Sequence, residues 1–291
     1  MGMDFLGRLL KCLPASWLRA AGRAQWRHPW LKRSFEWVAQ RFRNRDGVIQ
    51  HGIGRGLRFN PAGANAGYVL GTSEPKVQQA LAKLLQPGQT FYDIGANVGF
   101  LAVLAAKLVG PTGMVVAWDP VAANGQAVEH NFRLNQFAHL RLRVAAVSAV
   151  AGTAEFQLSA ESTWGSLVNS GKEVNHAAGR ITVPLETLDD LRDVPLPDVI
   201  KIDVEGAEAD VLRGAQRLLR EHGPLLMIEL HGTNAAVAPL LEAVNYQSVV
   251  LGASTSITAS LWDAYVIAVP ARRAEWVARL PEFTQITDQL S

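Results

Sequence analysis

Phe91-Tyr92-Asp93-Ile94-Gly95-Ala96-Asn97-Val98-Gly99-Phe100 is the stretch that decides the fold. A short apolar run, Phe91–Ile94, reads as a strand. Glycines follow at once, and the spacing then predicts a helix over Val98–Leu108. Glycine at a strand-to-helix turn lets the backbone adopt angles closed to other residues and approach a ligand closely. The helix start adds free N–H groups and partial positive charge. A dinucleotide-binding turn would read G-x-G-x-x-G, its second glycine admitting a pyrophosphate. Here the order is Gly95-x-Asn97-x-Gly99, with Asp93 leading. An acid there sits poorly beside pyrophosphate and suits a ligand carrying an ammonium group. The plainer alternative is a tight turn with no ligand.

Outward from this stretch the pattern is regular. The spacing predicts helices over Pro75–Leu85, Val121–Leu134, Ala207–Arg220 and Ala235–Val244. It predicts strands over Met114–Trp118, Leu140–Val147, Asp198–Ile202, Leu225–Leu230, Tyr246–Leu251 and Ala264–Val269, with further strands near Ala154–Leu158 and Ile181–Leu185. Strands alternating with helices imply a mostly parallel, doubly wound α/β sheet covered on both faces. The continuously apolar strands agree with burial on both sides. Ligands in such folds bind beyond the carboxyl ends of the strands, and the unusual residues lie there.

Asp119-Pro120 ends the second core strand, about twenty residues past Gly99. A carboxylate so placed accepts hydrogen bonds from ribose hydroxyls, while the plainer alternative is a helix cap. In Ile200-Lys201-Ile202-Asp203-Val204-Glu205-Gly206-Ala207-Glu208, a lysine falls inside a strand expected to be buried and needs a charged partner. Three acids crowd the end of that strand, more than a helix start requires. Glu229 and His231 close the next strand. Histidine there is either a general base or metal ligand, or an ordinary buried side chain.

Together, Asp93-x-Gly95-x-Asn97-x-Gly99, Asp119-Pro120 and Ile200–Glu208 resemble the FkbM family of methyltransferases, with similarity from about Gly71 to Leu251 and including Glu74-Pro75. The resemblance implies a Rossmann-like class I methyltransferase fold and S-adenosylmethionine as methyl donor, with hydroxyl groups on sugars, glycolipids or other small natural products as acceptors. It implies cofactor contacts at Glu74, Asp93, Gly95, Ala96, Asn97, Gly99, Asp119 and Pro120. The chain departs from the family in carrying Asp119 where Glu is more frequent, and in lacking an acid at Val147-Ser148-Ala149. An alcohol acceptor must lose a proton, and Asp203, Glu205, Glu229 and His231 are the candidates for that work. No metal is assigned, a divalent ion held by Asp203 remaining an alternative. Other readings are a non-catalytic S-adenosylmethionine-binding module and a nucleotide-dependent enzyme on the same fold.

The rest of the chain is less explicit. Residues 1–46 read as a basic, tryptophan-rich helical extension before a methyltransferase domain over 47–291 with its core at about 71–251. Residues 1–50 hold ten Lys or Arg against three Asp or Glu, so about +7 of a net charge of +2 lies there. Trp17, Trp26, Trp30 and Trp37 are half of all the tryptophans. Such a segment packs as an amphipathic cap or meets an anionic membrane peripherally. No nucleic-acid partner is expected, because no Asn or Asp precedes Pro-Pro and an aromatic residue. The oligomeric state is not legible. Gly52–Gly56 reads as a turn between strands at Val48–Gln50 and Leu57–Phe59 rather than a phosphate loop. Ser159–Arg180, with Trp164, Ser166, Asn169 and His176, is the expected wall of the acceptor pocket. Cys12 is the only cysteine, which excludes an internal disulfide or a thiolate cluster. With no apolar run near 18 residues and no secretory pattern, a cytoplasmic location is expected.

Overall fold

A computed structural model describes residues 44–65, 67–159, 165–168 and 177–288. The helical extension expected over 1–46 lies almost wholly outside the described residues, as do Cys12, Trp164, Asn169 and His176. Among the described residues no helix is long and apolar enough to cross a membrane.

Strands β1 (Gly47–Val48) and β2 (Arg58–Phe59) form an antiparallel ribbon joined through the Gly52–Gly56 turn. The main sheet is built from β3 (Thr90–Ile94), β4 (Met114–Trp118), β5 (Leu140–Arg143), β10 (Val199–Ile202), β11 (Leu225–Glu229), β12 (Tyr246–Val250) and β13 (Tyr265–Pro270). A smaller sheet holds β6 (Ala146–Val147), β7 (Gly152–Ser159), β8 (Gly165–Leu167) and β9 (Ala177–Glu186). Strand order in the main sheet is β12-β13-β11-β10-β3-β4-β5. β13 runs antiparallel to both its neighbours, while β11, β10, β3, β4 and β5 pair in parallel. The chain builds outward from β3 to β5 and returns to β10 on the other side. A crevice therefore opens where β3 and β10 diverge, the usual ligand position in open α/β sheets.

Side-chain alternation along the strands makes two cores. Phe91, Val115, Val199, Met227 and Ile267 pack with the helices Pro75–Leu84, Phe100–Val109 and Ala122–Leu134. Tyr92, Trp118, Ile200, Leu226 and Val266 pack on the opposite face with helices that include Glu208–Arg213 and Asn234–Ala243. Both faces of β3 and β10 are buried, as their apolar composition predicts.

Two expected elements are divided. The strand expected over Leu140–Val147 leaves the main sheet after Arg143, and Ala146–Val147 joins the small sheet beside β9. Arg143 fixes the departure by pairing with Glu186 at 2.7 Å and Asp193 at 2.7 Å. The helix expected over Ala207–Arg220 breaks into Glu208–Arg213 and Gln216–Glu221. At the break, a Cβ on Gly214 would lie 2.1 Å from the Ser148 carbonyl oxygen, so the segment after β6 packs where only glycine leaves room. Periodicity cannot report this, because the cause is a contact from 66 positions away in sequence.

Candidate active site

The crevice becomes a partly open cleft walled by the ends of β3, β4 and β10 and by the small sheet. At the end of β3, Gly95 and Ala96 donate their N–H groups to the Trp118 carbonyl at 3.0 and 2.8 Å. Gly95 has φ of 81°, and a Cβ there would meet the Asp203 carbonyl oxygen at 1.8 Å. This position therefore admits glycine only, and it seals the tips of β3 and β10 together.

Asp119 organises the β4 side. Its Oδ2 accepts from Asn97 N–H at 2.9 Å, and its Oδ1 from Val121 N–H at 2.9 Å and the Asn124 amide at 3.0 Å. Burial nevertheless pushes its pKa up to about 7. Each carboxylate oxygen offers about two acceptor positions, so Oδ2 retains one after the Asn97 bond. The plainer reading of Asp119 as an anchor for the next helix is thus realised, and it leaves acceptor capacity for a ligand. Pro120, Ala96 and Asn97 line the cleft as well. Gly99 does not reach it: this residue precedes the helix Phe100–Val109 and packs against Val128.

Sheet register explains the buried lysine. Lys201 lies opposite Asp93 across the β10–β3 pair. Its ammonium, 3% exposed, is 3.2 Å from Asp93, 3.2 Å from Asp203 and donates to the Gly95 carbonyl at 2.8 Å. Burial opposes the lysine's charge, but Asp203, Asp93 and Glu74 outweigh it and its pKa is raised. Burial also raises the pKa of Asp93, the lysine acting against it. Asp93 is fully buried on the cleft floor, with this lysine as its ionic partner.

Beyond Asp203 the four expected catalytic residues come together. His231 is fixed through Nδ1, 2.9 Å from Glu208 Oε1. Its Nε2 faces Glu205 at 3.4 Å, Asp203 at 3.8 Å and Glu229 at 3.8 Å. Burial disfavours the imidazolium, yet Glu208, Asp203 and Glu229 raise the pKa overall. Glu205 holds a left-handed backbone (φ 55°) that turns the chain between β10 and the next helix. The Tyr265 hydroxyl sits between Glu229, at 2.5 Å, and Glu74, at 3.1 Å. Burial drives the pKa of Glu229 to about 8 and that of Glu74 to about 7, with Asp203 adding to both. Glu74, Asp203 and Glu205 line the cleft, while Glu229 and His231 stand behind them.

Three residues here are not apparent from sequence as parts of the site. Tyr68 lines the cleft, stacked on Phe100 at 4.6 Å. Tyr265 arrives on the reversed strand β13, and Trp262 sets its ring edge-on to His231 at 5.5 Å. No local spacing announces them. Glu208 does carry a signal, an acid just past a strand end, but its role depends on His231 and on the Thr233 hydroxyl, which donates to it at 2.8 Å. Of the expected acceptor wall, Gly165 and Leu167 on β8 line the cleft; Phe156 on β7, outside that wall, lines it too and packs with Leu167 and Val121 toward the Asp119 end. Ser166 is buried within β8.

A sheet of this order, with acids at the ends of β4 and β10 around one cleft, is the Rossmann-like class I methyltransferase fold. The sequence model of the FkbM methyltransferase domain matches residues 93–248, more than half the chain, and the protein belongs to that family. A stretch of 151 residues is 29% identical to an arsenite methyltransferase of Halobacterium salinarum, covering 48% of this chain and 36% of that protein. A stretch of 58 residues is 41% identical to a ribosomal protein L11 methyltransferase of Bacillus cereus, covering 20% of this chain and 18% of that one. The chain thus spans well under half the length of these curated relatives. Among solved structures, an FkbM methyltransferase from Methylobacillus flagellatus is 16% identical with a TM-score of 0.43, over 67% of this chain and 55% of its own. An S-adenosylmethionine-dependent O-methyltransferase from Thermotoga maritima is 15% identical with a TM-score of 0.44, over 67% and 65%.

Proposed function

We propose that the protein transfers a methyl group from S-adenosylmethionine to a hydroxyl on a sugar, glycolipid or other small natural product. The observation that carries this reading is the division of one cleft into an Asp119 end and an Asp203–Glu205 end. The residues present suit the cofactor. Asp119 Oδ2 has acceptor capacity for a ribose hydroxyl, and the apolar wall of Val147, Phe156 and Leu167 suits a flat base. Asp93 and Glu74 supply negative charge for an ammonium group, and neither buried Asp93 oxygen makes a hydrogen bond among the described residues. Gly95, Ala96 and Asn97 bring backbone to the ligand. When bound, the cofactor supplies an electrophilic methyl group on sulfur.

The chain's own part is positioning and proton handling. Holding the acceptor oxygen in line for displacement in a partly enclosed cleft accounts for much of the acceleration. Glu229 Oε1, behind Asp203 and Glu205, takes the acceptor's proton through one bridging water, with Tyr265 holding the other carboxylate oxygen, a contribution of roughly 10²–10⁴-fold. Asp203 and Glu205 orient the acceptor. The half-exposed Trp262 beside His231 offers a face to a sugar ring or another apolar body. Incubation with methyl-labelled cofactor and a panel of sugars, glycolipids and phenols, read by mass spectrometry, tests the reading. Label is expected in an ether oxygen. Glu229→Gln should lower turnover at least about 100-fold while cofactor affinity stays within a few-fold. Unchanged turnover in both Glu229→Gln and the double variant Asp203→Ala, Glu205→Ala would overturn it. As a peripheral membrane contact, the expected basic extension would bring the protein to a glycolipid acceptor.

A further inference from the structure

We propose that Asp203, Glu205 and His231 form a binding site for a single divalent transition-metal ion, with Glu208 as the residue that orients the histidine. One oxygen or nitrogen from each of the three lies within 4.8 Å of the others. The spacing fits an ion better than a hydrogen-bonded cluster. His231 Nε2 stands 3.4 Å from Glu205 Oε2 and 3.8 Å from Asp203 Oδ1, too long for good hydrogen bonds. Metal–ligand bonds of about 2.0–2.6 Å put neighbouring ligands of one ion roughly 3–4 Å apart.

The histidine is the independent observation. Its side chain is 6% exposed, and its Nε2 makes no hydrogen bond among the described residues. Glu208, whose side chain is fully buried, holds Nδ1 at 2.9 Å and is held in turn by Gly206 N–H at 3.0 Å and the Thr233 hydroxyl. A carboxylate behind an imidazole fixes the tautomer with the lone pair on Nε2, the arrangement that supports metal-bound histidines. Asp203 is prepared in the same way. Its Oδ2 is taken by Lys201, and its Oδ1 is the atom turned toward His231.

Asp203, Glu205 and Glu208 place three carboxylates around the imidazole. An imidazole beside carboxylates favours Mn²⁺, Fe²⁺, Co²⁺ or Zn²⁺ over Ca²⁺ and Mg²⁺, which take oxygen ligands. Three protein ligands leave coordination positions open toward the cleft, and an ion there would lower the pKa of an acceptor hydroxyl. Only this last role rests on the proposed methyl transfer; the site itself does not.

Calorimetric titration of the chelator-stripped full chain with Co²⁺ and Mn²⁺, alongside Ca²⁺ and Mg²⁺, tests the site without an acceptor. One Co²⁺ per chain is expected, seen also as visible absorption of nitrogen–oxygen ligation and bound at least tenfold tighter than Ca²⁺. His231→Gln and Glu205→Gln should each weaken it more than tenfold. Glu208→Gln, although it touches no ion, should weaken it about 10–100-fold, while the remote His130→Gln leaves it unchanged. Circular dichroism and S-adenosylhomocysteine titration establish that each variant is folded. No stoichiometric Co²⁺ binding by folded wild-type protein, or binding that survives both His231→Gln and Glu205→Gln, would overturn the site. Neither result would touch the methyl-transfer reading, which the labelling experiment decides separately.

Discussion

At the Asp119 end of the cleft the decisive contact, Asn97 N–H to Asp119, joins residues 22 positions apart, one strand–helix–strand unit. At the Asp203 end, Lys201 reaches Gly95 across 106 positions and Tyr265 reaches Glu74 across 191. The first end is made by consecutive elements whose turns are written in glycine, asparagine and aspartate. The second exists only once β10 has slotted beside β3 and the reversed β13 has closed against β11. One end is thus a property of a motif, and the other a property of the whole sheet.

This contrast gives the first prediction. Lys201 joins the two ends, and removing it leaves the buried Asp93 and the partly exposed Asp203 without their cation. Lys201→Met should therefore destabilise the protein by about 3–5 kcal/mol, read from chemical denaturation. A loss below 1 kcal/mol would mean that the two ends are energetically separate. Asp119→Asn, at the local end, should cost less.

A smaller effect separates the ends by pH. Burial raises the folded-state pKa of Asp119 and Glu74 to about 7, above the unfolded values near 4. The stability they contribute is full below about pH 4 and is lost as pH rises through about 7. Ribose binding needs the Asp119 carboxylate as an acceptor, so cofactor affinity should move the other way, falling up to about tenfold per pH unit below pH 7. Thermal unfolding of the ligand-free protein and calorimetry between pH 5 and 8 read both slopes. Parallel slopes would contradict the assignment of Asp119.

The same contrast shows what the sequence could convey. The strands β3, β4, β10 and β11 and the acids at their ends follow from apolar runs and punctuation, because both are local. The division of Leu140–Val147 between two sheets, and of the helix at Gly214, comes from tertiary contacts that override periodicity. Lys201 was legible as a buried charge, but its partner Asp93 is set by strand register. Tyr265, Tyr68 and Trp262 were silent because each enters from an element with no motif of its own. Glu205 and His231 were legible as polar residues at strand ends, and their meeting was not.

The central claim is that this cleft holds S-adenosylmethionine with Asp119 as its anchor. Calorimetric titration of wild type and Asp119→Ala with S-adenosylmethionine and S-adenosylhomocysteine, with NAD(H) as control, tests it most directly. The account predicts 1:1 binding with micromolar affinity by wild type, no NAD(H) binding, and at least about a tenfold loss in Asp119→Ala from the missing hydrogen bonds. A folded wild-type protein that binds neither sulfur compound, or an Asp119→Ala variant that binds them as tightly, would contradict it.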